Sequence, residues 1–104
     1  MRTEIRVAAA FLAVLSVSAA HAETITVQIN NVAYAPVTIS ARVGDTIVWN
    51  NADSFAHTAT ARDKSWDYNI LPKKTASMTV KKAGDIEYYC RYHPNMVGHI
   101  KVTE

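Results

Sequence analysis

Short segments of alternating apolar and polar residues, each followed by a turn signal, make up most of the chain after residue 22. Residues 23–30, 37–41, 46–49, 57–61, 75–81, 86–90 and 98–103 have the period or the β-branched composition of strands. Gly44-Asp45 and Gly84-Asp85 mark turns between them. The polar stretch 63–69 is interpreted as a loop. Seven or eight short strands at near-regular spacing predict a single all-β domain, a sandwich or a barrel.

The first 22 residues have the three parts of a secretory signal peptide. Arg2 and Arg6 are positive, residues 7–17 are apolar, and Ala20-His21-Ala22 fits a small-residue cleavage site. The uncharged run over residues 7–22 is shorter than the roughly 20 residues that a membrane-spanning helix needs. We therefore expect cleavage after Ala22 and a mature domain of residues 23–104 with no membrane segment.

The mature domain has to be stable with a single cysteine, Cys90. One cysteine cannot form a disulfide within the chain, and a free thiol outside the cytosol is prone to oxidation. A bound metal would stabilise so small a domain and would hold the sulfur as a thiolate. The net charge is only +2, and the leader would remove two arginines and one glutamate. Charge therefore gives no reason to expect nucleic acid or an anionic membrane as a partner.

The cysteine lies in the stretch Tyr88-Tyr89-Cys90-Arg91-Tyr92-His93-Pro94-Asn95-Met96. Cys90, His93 and Met96 are spaced C-x2-H-x2-M on a tight turn, which Pro94 stiffens. A thiolate, an imidazole and a thioether, together with a second imidazole, suit copper that cycles between Cu(I) and Cu(II). Cys90 alone could be a small buried hydrophobic residue, and Met96 alone could be core packing. Zinc is an alternative metal, although methionine is a poor zinc ligand.

The second imidazole has to come from elsewhere in the chain. After removal of the leader only His57, His93 and His99 remain. His99 lies in the closing strand and would have to reach back around the turn, so we expect it on the strand surface. His57 alone could be an exposed histidine at the end of a turn. The predicted donor set is His57, Cys90, His93 and Met96.

These motifs together resemble the cupredoxins of the plastocyanin and amicyanin type, which are small blue copper proteins. The resemblance covers nearly all of residues 24–104, and the C-x2-H-x2-M turn is similar in length to that of amicyanin. Thr58 stands where asparagine is usual, and Arg91 stands where threonine or serine is frequent, so the hydrogen bonds between the two loops are expected to differ. The matching motifs are Tyr34-x-Pro36, Val43-Gly44-Asp45-Thr46-Ile47-Val48-Trp49-Asn50-Asn51-x-Asp53, His57-Thr58 and Gly84-Asp85-Ile86-Glu87-Tyr88-Tyr89-Cys90-x-x-His93-Pro94-x-Met96-x-Gly98.

The resemblance implies a Greek-key β-sandwich with one type 1 copper near one end. His57, Cys90 and His93 would be the strong ligands and Met96 the long axial one. The backbone N–H of Thr58 could donate to the Cys90 sulfur. His93 would lie near the surface as the port for electrons, with apolar neighbours on both loops.

The function expected from this site is a monomeric periplasmic electron carrier. Its redox partners, such as a c-type cytochrome or a periplasmic dehydrogenase, would bind transiently. A weak axial methionine leaves no open position for a substrate, and a copper enzyme with several metal ions would need more histidines, so we do not expect an enzyme. Copper delivery or buffering in the same compartment, without electron transfer, is the alternative, because it would use the same ligands.

Overall fold

The computed structural model describes residues 22–104, and these residues form nine β-strands and no helix. The all-β sandwich that the sequence predicts is confirmed. The predicted leader lies, except for Ala22, outside the described residues. The strands are β1 (Thr24–Ile29), β2 (Tyr34–Ala35), β3 (Thr38–Arg42), β4 (Thr46–Asn51), β5 (His57–Ala61), β6 (Asp67–Ile70), β7 (Thr75–Thr79), β8 (Gly84–Tyr89) and β9 (Val97–Thr103).

The strands form two mixed sheets that pack face to face. One sheet has the order β2-β1-β4-β7 and the other the order β3-β9-β8-β5-β6. Strands β1 and β4 pair in parallel, as do β3 and β9, and the other neighbours are antiparallel. The chain changes sheet five times, after β2, β3, β4, β6 and β7, so only the pairs β1–β2, β5–β6 and β8–β9 are consecutive strands within one sheet.

Two strands differ from the expectation. Strand β2 has only two residues, too few to show a period. Strand β6 occupies part of the stretch 63–69 that the sequence indicated as a loop, so that interpretation was wrong for residues 67–69. It is an edge strand in which Ile70 is the one fully buried residue, and it therefore lacks the alternation of a half-buried strand. It pairs with β5, where Thr60 lies opposite Asp67.

Aromatic side chains join the two sheets in the core. Trp49 of β4 packs edge-on against Tyr88 of β8, with ring centroids 5.5 Å apart. The ring of Tyr34 lies 4.6 Å from that of Tyr88. Gly98 makes this packing fit, because a Cβ at that position would lie 2.4 Å from Cζ of Tyr88. Aliphatic residues from both sheets complete the core, chiefly Val27, Ile29, Ile47, Ile70 and Ile100.

Strand β5 is buried along its whole length, although it contains a histidine and two threonines. Buried polar side chains need hydrogen-bond partners, and here they find them within β5, in the adjacent strand β6 and in the flanking loops. This strand carries His57, so its position fixes one side of the predicted metal site.

Within residues 22–104, the structure has no helix with the length and apolar character that a membrane crossing requires.

Candidate metal centre

Three of the four predicted donors converge at one end of the sandwich. Nδ1 of His57 and Nδ1 of His93 each lie 3.7 Å from the Sγ atom of Cys90. The three donor atoms all lie within 4.8 Å of one another. Metal–nitrogen and metal–sulfur bonds of about 2.0–2.3 Å would place two such donors roughly 3.5–3.8 Å apart in a tetrahedral or trigonal site. The geometry therefore fits a single metal ion.

Backbone hydrogen bonds explain why the three-residue spacing works. The carbonyl of Cys90 accepts from the N–H of His93 at 3.2 Å, and the carbonyl of His93 accepts from the N–H of Met96 at 2.8 Å. The N–H of Cys90 then donates to the carbonyl of Met96 at 3.1 Å and closes the turn. Two successive tight turns thus bring every third side chain back to the same side.

Met96, the predicted axial donor, is a buried member of the core cluster at the end of this turn. Its place next to β9 puts it at the same end of the sandwich as the other three donors. Its role as a ligand stays a prediction. His99 lies on β9 beside Glu87 and away from the site, with a side chain that is more than one-third exposed, as expected.

His57 is completely buried, and Asp53 determines which of its nitrogens faces the site. Nε2 of His57 lies 2.7 Å from Oδ2 of Asp53. Burial alone would raise the pKa of Asp53, but hydrogen bonds from the Val32 N–H, the His57 ring and the Asn31 N–H outweigh it and lower the pKa. The ionised carboxylate can only accept, so Nε2 carries the proton. Nδ1 is then left with its lone pair towards Cys90.

Asp53 is itself held by backbone donors from the turn between β1 and β2. The N–H of Asn31 donates to its Oδ1 at 2.8 Å, and the N–H of Val32 donates to its Oδ2 at 3.0 Å. Asn51 shapes the same loop, because its Oδ1 accepts from the N–H of Asp53 and its Nδ2 donates to the carbonyl of Phe55. The loop that leads into His57 is therefore anchored before the ligand is reached.

Thr58 connects the two ligand segments. Its N–H donates to Sγ of Cys90 at 3.3 Å, as the resemblance implied. Its Oγ1 accepts from the N–H of Arg91 at 2.8 Å. A threonine can thus make a loop-to-loop hydrogen bond at the position where the related proteins usually have asparagine.

The site is closed on the inside and open on one side. Cys90 is fully buried, whereas His93 is partly exposed. The ring of Phe55, 46% exposed, lies 5.1 Å from that of His57 and 5.7 Å from that of His93. An exposed aromatic ring therefore lies beside the accessible imidazole.

The comparison with known proteins agrees with this geometry. The family model of the cupredoxin-like domain matches residues 5–102. A mutant of amicyanin with Cu(I) is 26% identical with a TM-score of 0.70, over 76% of this chain and 81% of that one. A further amicyanin mutant, in the reduced Cu(I) form at pH 4, is 27% identical with a TM-score of 0.69, over 82% of this chain and 85% of that one.

A purple cupredoxin from Nitrosopumilus maritimus is 23% identical with a TM-score of 0.71, over 76% of this chain and 99% of that one, and this likeness shows the shared fold. Comparison with curated protein sequences gives no significant match.

The chain belongs to the cupredoxin-like family. The resemblance to amicyanin-type cupredoxins is confirmed, and the family together with the cluster of His57, Cys90 and His93 supports a single type 1 copper as the cofactor. Cupredoxins are typically electron carriers rather than enzymes. When bound, the copper supplies one-electron redox chemistry, and the chain supplies the donor atoms and their orientation.

Sequence reasoning missed the residues behind the donors. It did not find that Asp53 holds His57, nor that Thr60 and Asp67 lie beside Thr58. The four-residue spacing between Asp53 and His57, within one short loop, was the signal that could have indicated the first pair. No pattern in the sequence indicates the second, because it depends on the pairing of β6 with β5.

Proposed function

We propose that this protein is a periplasmic electron carrier in which one type 1 copper, held by His57, Cys90, His93 and Met96, cycles between Cu(I) and Cu(II). The observation that carries the proposal is the pair of imidazole Nδ1 atoms, each 3.7 Å from the same buried sulfur. Donors fixed before the metal arrives favour fast electron transfer, because neither oxidation state requires them to move far.

His93 is the proposed port for electrons. It is the accessible imidazole of the pair. The exposed ring of Phe55 packs against it, and the exposed Tyr92 precedes it in the chain. The exposed Leu71 follows β6, and Nδ2 of Asn51 donates to the carbonyls of both Phe55 and Leu71. An apolar surface of this kind excludes water from a brief complex with a partner.

The proposed partners are redox proteins of the same compartment, such as a c-type cytochrome or a periplasmic dehydrogenase. Support comes from the small size of the apolar surface, which suits a transient complex of a monomer better than a permanent one. The periplasmic location rests on the leader that the sequence predicts.

Visible absorption of the copper-loaded protein tests the proposal. We expect an intense blue Cu(II) form that is reversibly reduced, because the colour arises from a copper–thiolate bond. Cys90→Ser should abolish the colour, whereas His99→Gln, which changes a histidine outside the site, should leave it intact. A colourless Cu(II) complex of the unaltered protein would contradict the proposal.

Copper delivery uses the same ligands and needs a separate measurement. A carrier should exchange electrons with a reduced c-type cytochrome while it keeps its copper. Stoichiometric transfer of Cu(I) to an acceptor protein, with no electron exchange with the cytochrome, would support delivery instead.

A further inference from the structure

A closed ring of hydrogen bonds lies behind the ligand turn. The N–H of Arg91 donates to Oγ1 of Thr58 at 2.8 Å, and Oγ1 of Thr58 lies 2.9 Å from Oγ1 of Thr60. Oγ1 of Thr60 donates to Oδ1 of Asp67 at 2.6 Å. Nε of Arg91 donates to the same oxygen at 3.1 Å, which closes the ring. Three separate segments, β5, β6 and the ligand turn, thus meet in four residues.

The carboxylate of Asp67 sets the direction of the two hydroxyl hydrogen bonds in this ring. Hydrogen bonds from Thr60 and Arg91 lower the pKa of Asp67, so it is ionised near neutral pH and can only accept. The hydroxyl of Thr60 has one proton, and it donates that proton in the hydrogen bond to Asp67. Thr60 must therefore accept from Thr58, which leaves a lone pair of the Thr58 oxygen for the N–H of Arg91.

The ring lies next to the sulfur without touching the donor atoms of the two histidines. Thr58 and Thr60 are almost completely buried, and the N–H of Thr58 donates to Sγ of Cys90. A second hydrogen bond joins the ligand turn to β6, because the hydroxyl of Tyr92 donates to Oδ1 of Asn69 at 2.6 Å. Two alternate residues of β6, Asp67 and Asn69, therefore accept hydrogen bonds from the ligand turn.

We infer that Asp67 and Thr60 are positioning residues for the copper site. Through Thr58 and Arg91 they fix the ligand turn against β5 and keep the N–H of Thr58 aimed at the Cys90 sulfur. Thr58 and Arg91, the two departures from the family pattern, are joined by this ring. The effect on copper rests on the proposed function, whereas the effect on the turn does not.

Amide hydrogen exchange of the metal-free protein, followed by NMR, tests the ring without copper. Thr60→Val keeps the branched shape of the side chain and removes the hydroxyl, and Thr60→Ser keeps the hydroxyl. We expect exchange of the Arg91 N–H to be about five-fold faster in Thr60→Val, which corresponds to the loss of one ordinary hydrogen bond. In Thr60→Ser it should match the unaltered protein.

The reduction potential of the copper-loaded protein tests the link to the sulfur. An N–H donor withdraws charge from a thiolate and so favours Cu(I), and outer contacts of this kind tune the potential. We expect a lower potential in Thr60→Val and no change in Thr60→Ser. If Thr60 had a purely structural role, Thr60→Val would lower the stability of the protein and leave its reduction potential unchanged.

Asp67→Ala provides an independent variant at a partly exposed position, where folding is not at risk. We expect it to speed exchange of the Arg91 N–H and to lower the potential, while Asp85→Ala, which removes a carboxylate from the exposed start of β8, at the end of that strand away from the ligand turn, should do neither. The inference would be overturned if Thr60→Val and Asp67→Ala both left the exchange rate of the Arg91 N–H and the reduction potential unchanged. Equal changes of these two quantities in Thr60→Val and Thr60→Ser would also overturn it.

An unaltered protein that forms no blue centre would contradict the proposed function alone, since the exchange test would still stand.

Discussion

At the scale of single residues, the site depends on a carboxylate that holds no metal. Asp53 accepts hydrogen bonds from two backbone N–H groups and from the ring of His57. A carboxylate behind a ligating histidine fixes the tautomer and the orientation of the ring. The buried imidazole is thus ready to bind with the correct nitrogen.

Asp53→Asn should weaken copper binding by about 10–100-fold, the usual cost of losing such a partner. The amide has the same shape but no charge, and it can present a donor to the ring and so favour the wrong tautomer. Competition with a copper chelator measures the effect. Asp85→Asn removes the same charge far from the site and should bind copper normally, whereas normal binding by Asp53→Asn would show that the carboxylate is unimportant.

At the scale of elements, the hairpin of β1 and β2 supports the metal site through Asp53, although His57 belongs to a strand of the other sheet. Its two turn residues, Asn31 and Val32, both have positive φ, of 54° and 60°. A two-residue hairpin turn of type I′ needs two residues in this region, and asparagine suits it while valine does not. The strained turn presents both of its N–H groups to Asp53.

Val32→Gly should stabilise the domain by about 0.5–1 kcal/mol, because the cost of about 1–2 kcal/mol for a left-handed residue exceeds the extra chain entropy of glycine. Thermal unfolding measures the change. Val43→Gly is the matched control, since Val43 is 39% exposed against 37% for Val32 but does not have a positive φ. It should destabilise the protein. Equal effects of the two variants would contradict the argument from strain.

At the scale of the whole molecule, the metal site joins parts of the chain that are far apart in sequence. His57 begins β5, the other donors lie between β8 and β9, and Asp53 is held by the hairpin between β1 and β2. A domain this small, with a single cysteine, has a modest core and no internal disulfide. Copper binding should therefore stabilise the fold as a whole.

Copper should raise the midpoint of thermal unfolding, because a ligand that binds only the folded state adds about 2.7 kcal/mol at a concentration 100 times its dissociation constant. Differential scanning calorimetry with and without the metal measures the shift. Cys90→Ser should show a much smaller rise. Equal rises in the two proteins would mean that copper acts elsewhere on the molecule.

Most of the strand pattern, the candidate donor residues and the tight ligand turn could be predicted from the sequence alone. Alternation along 23–30 and 75–81 reflects burial of one strand face, and the three-residue spacing of Cys90, His93 and Met96 reflects two local turns, so both are visible in short windows. The hydrogen bonds of Asp53 with Asn31 and Val32 are visible only in the folded molecule, and so are those of Asp67 with Thr60 and Arg91. These contacts join residues from different strands, and their geometry depends on strand register and on the packing of two sheets, which no local pattern encodes.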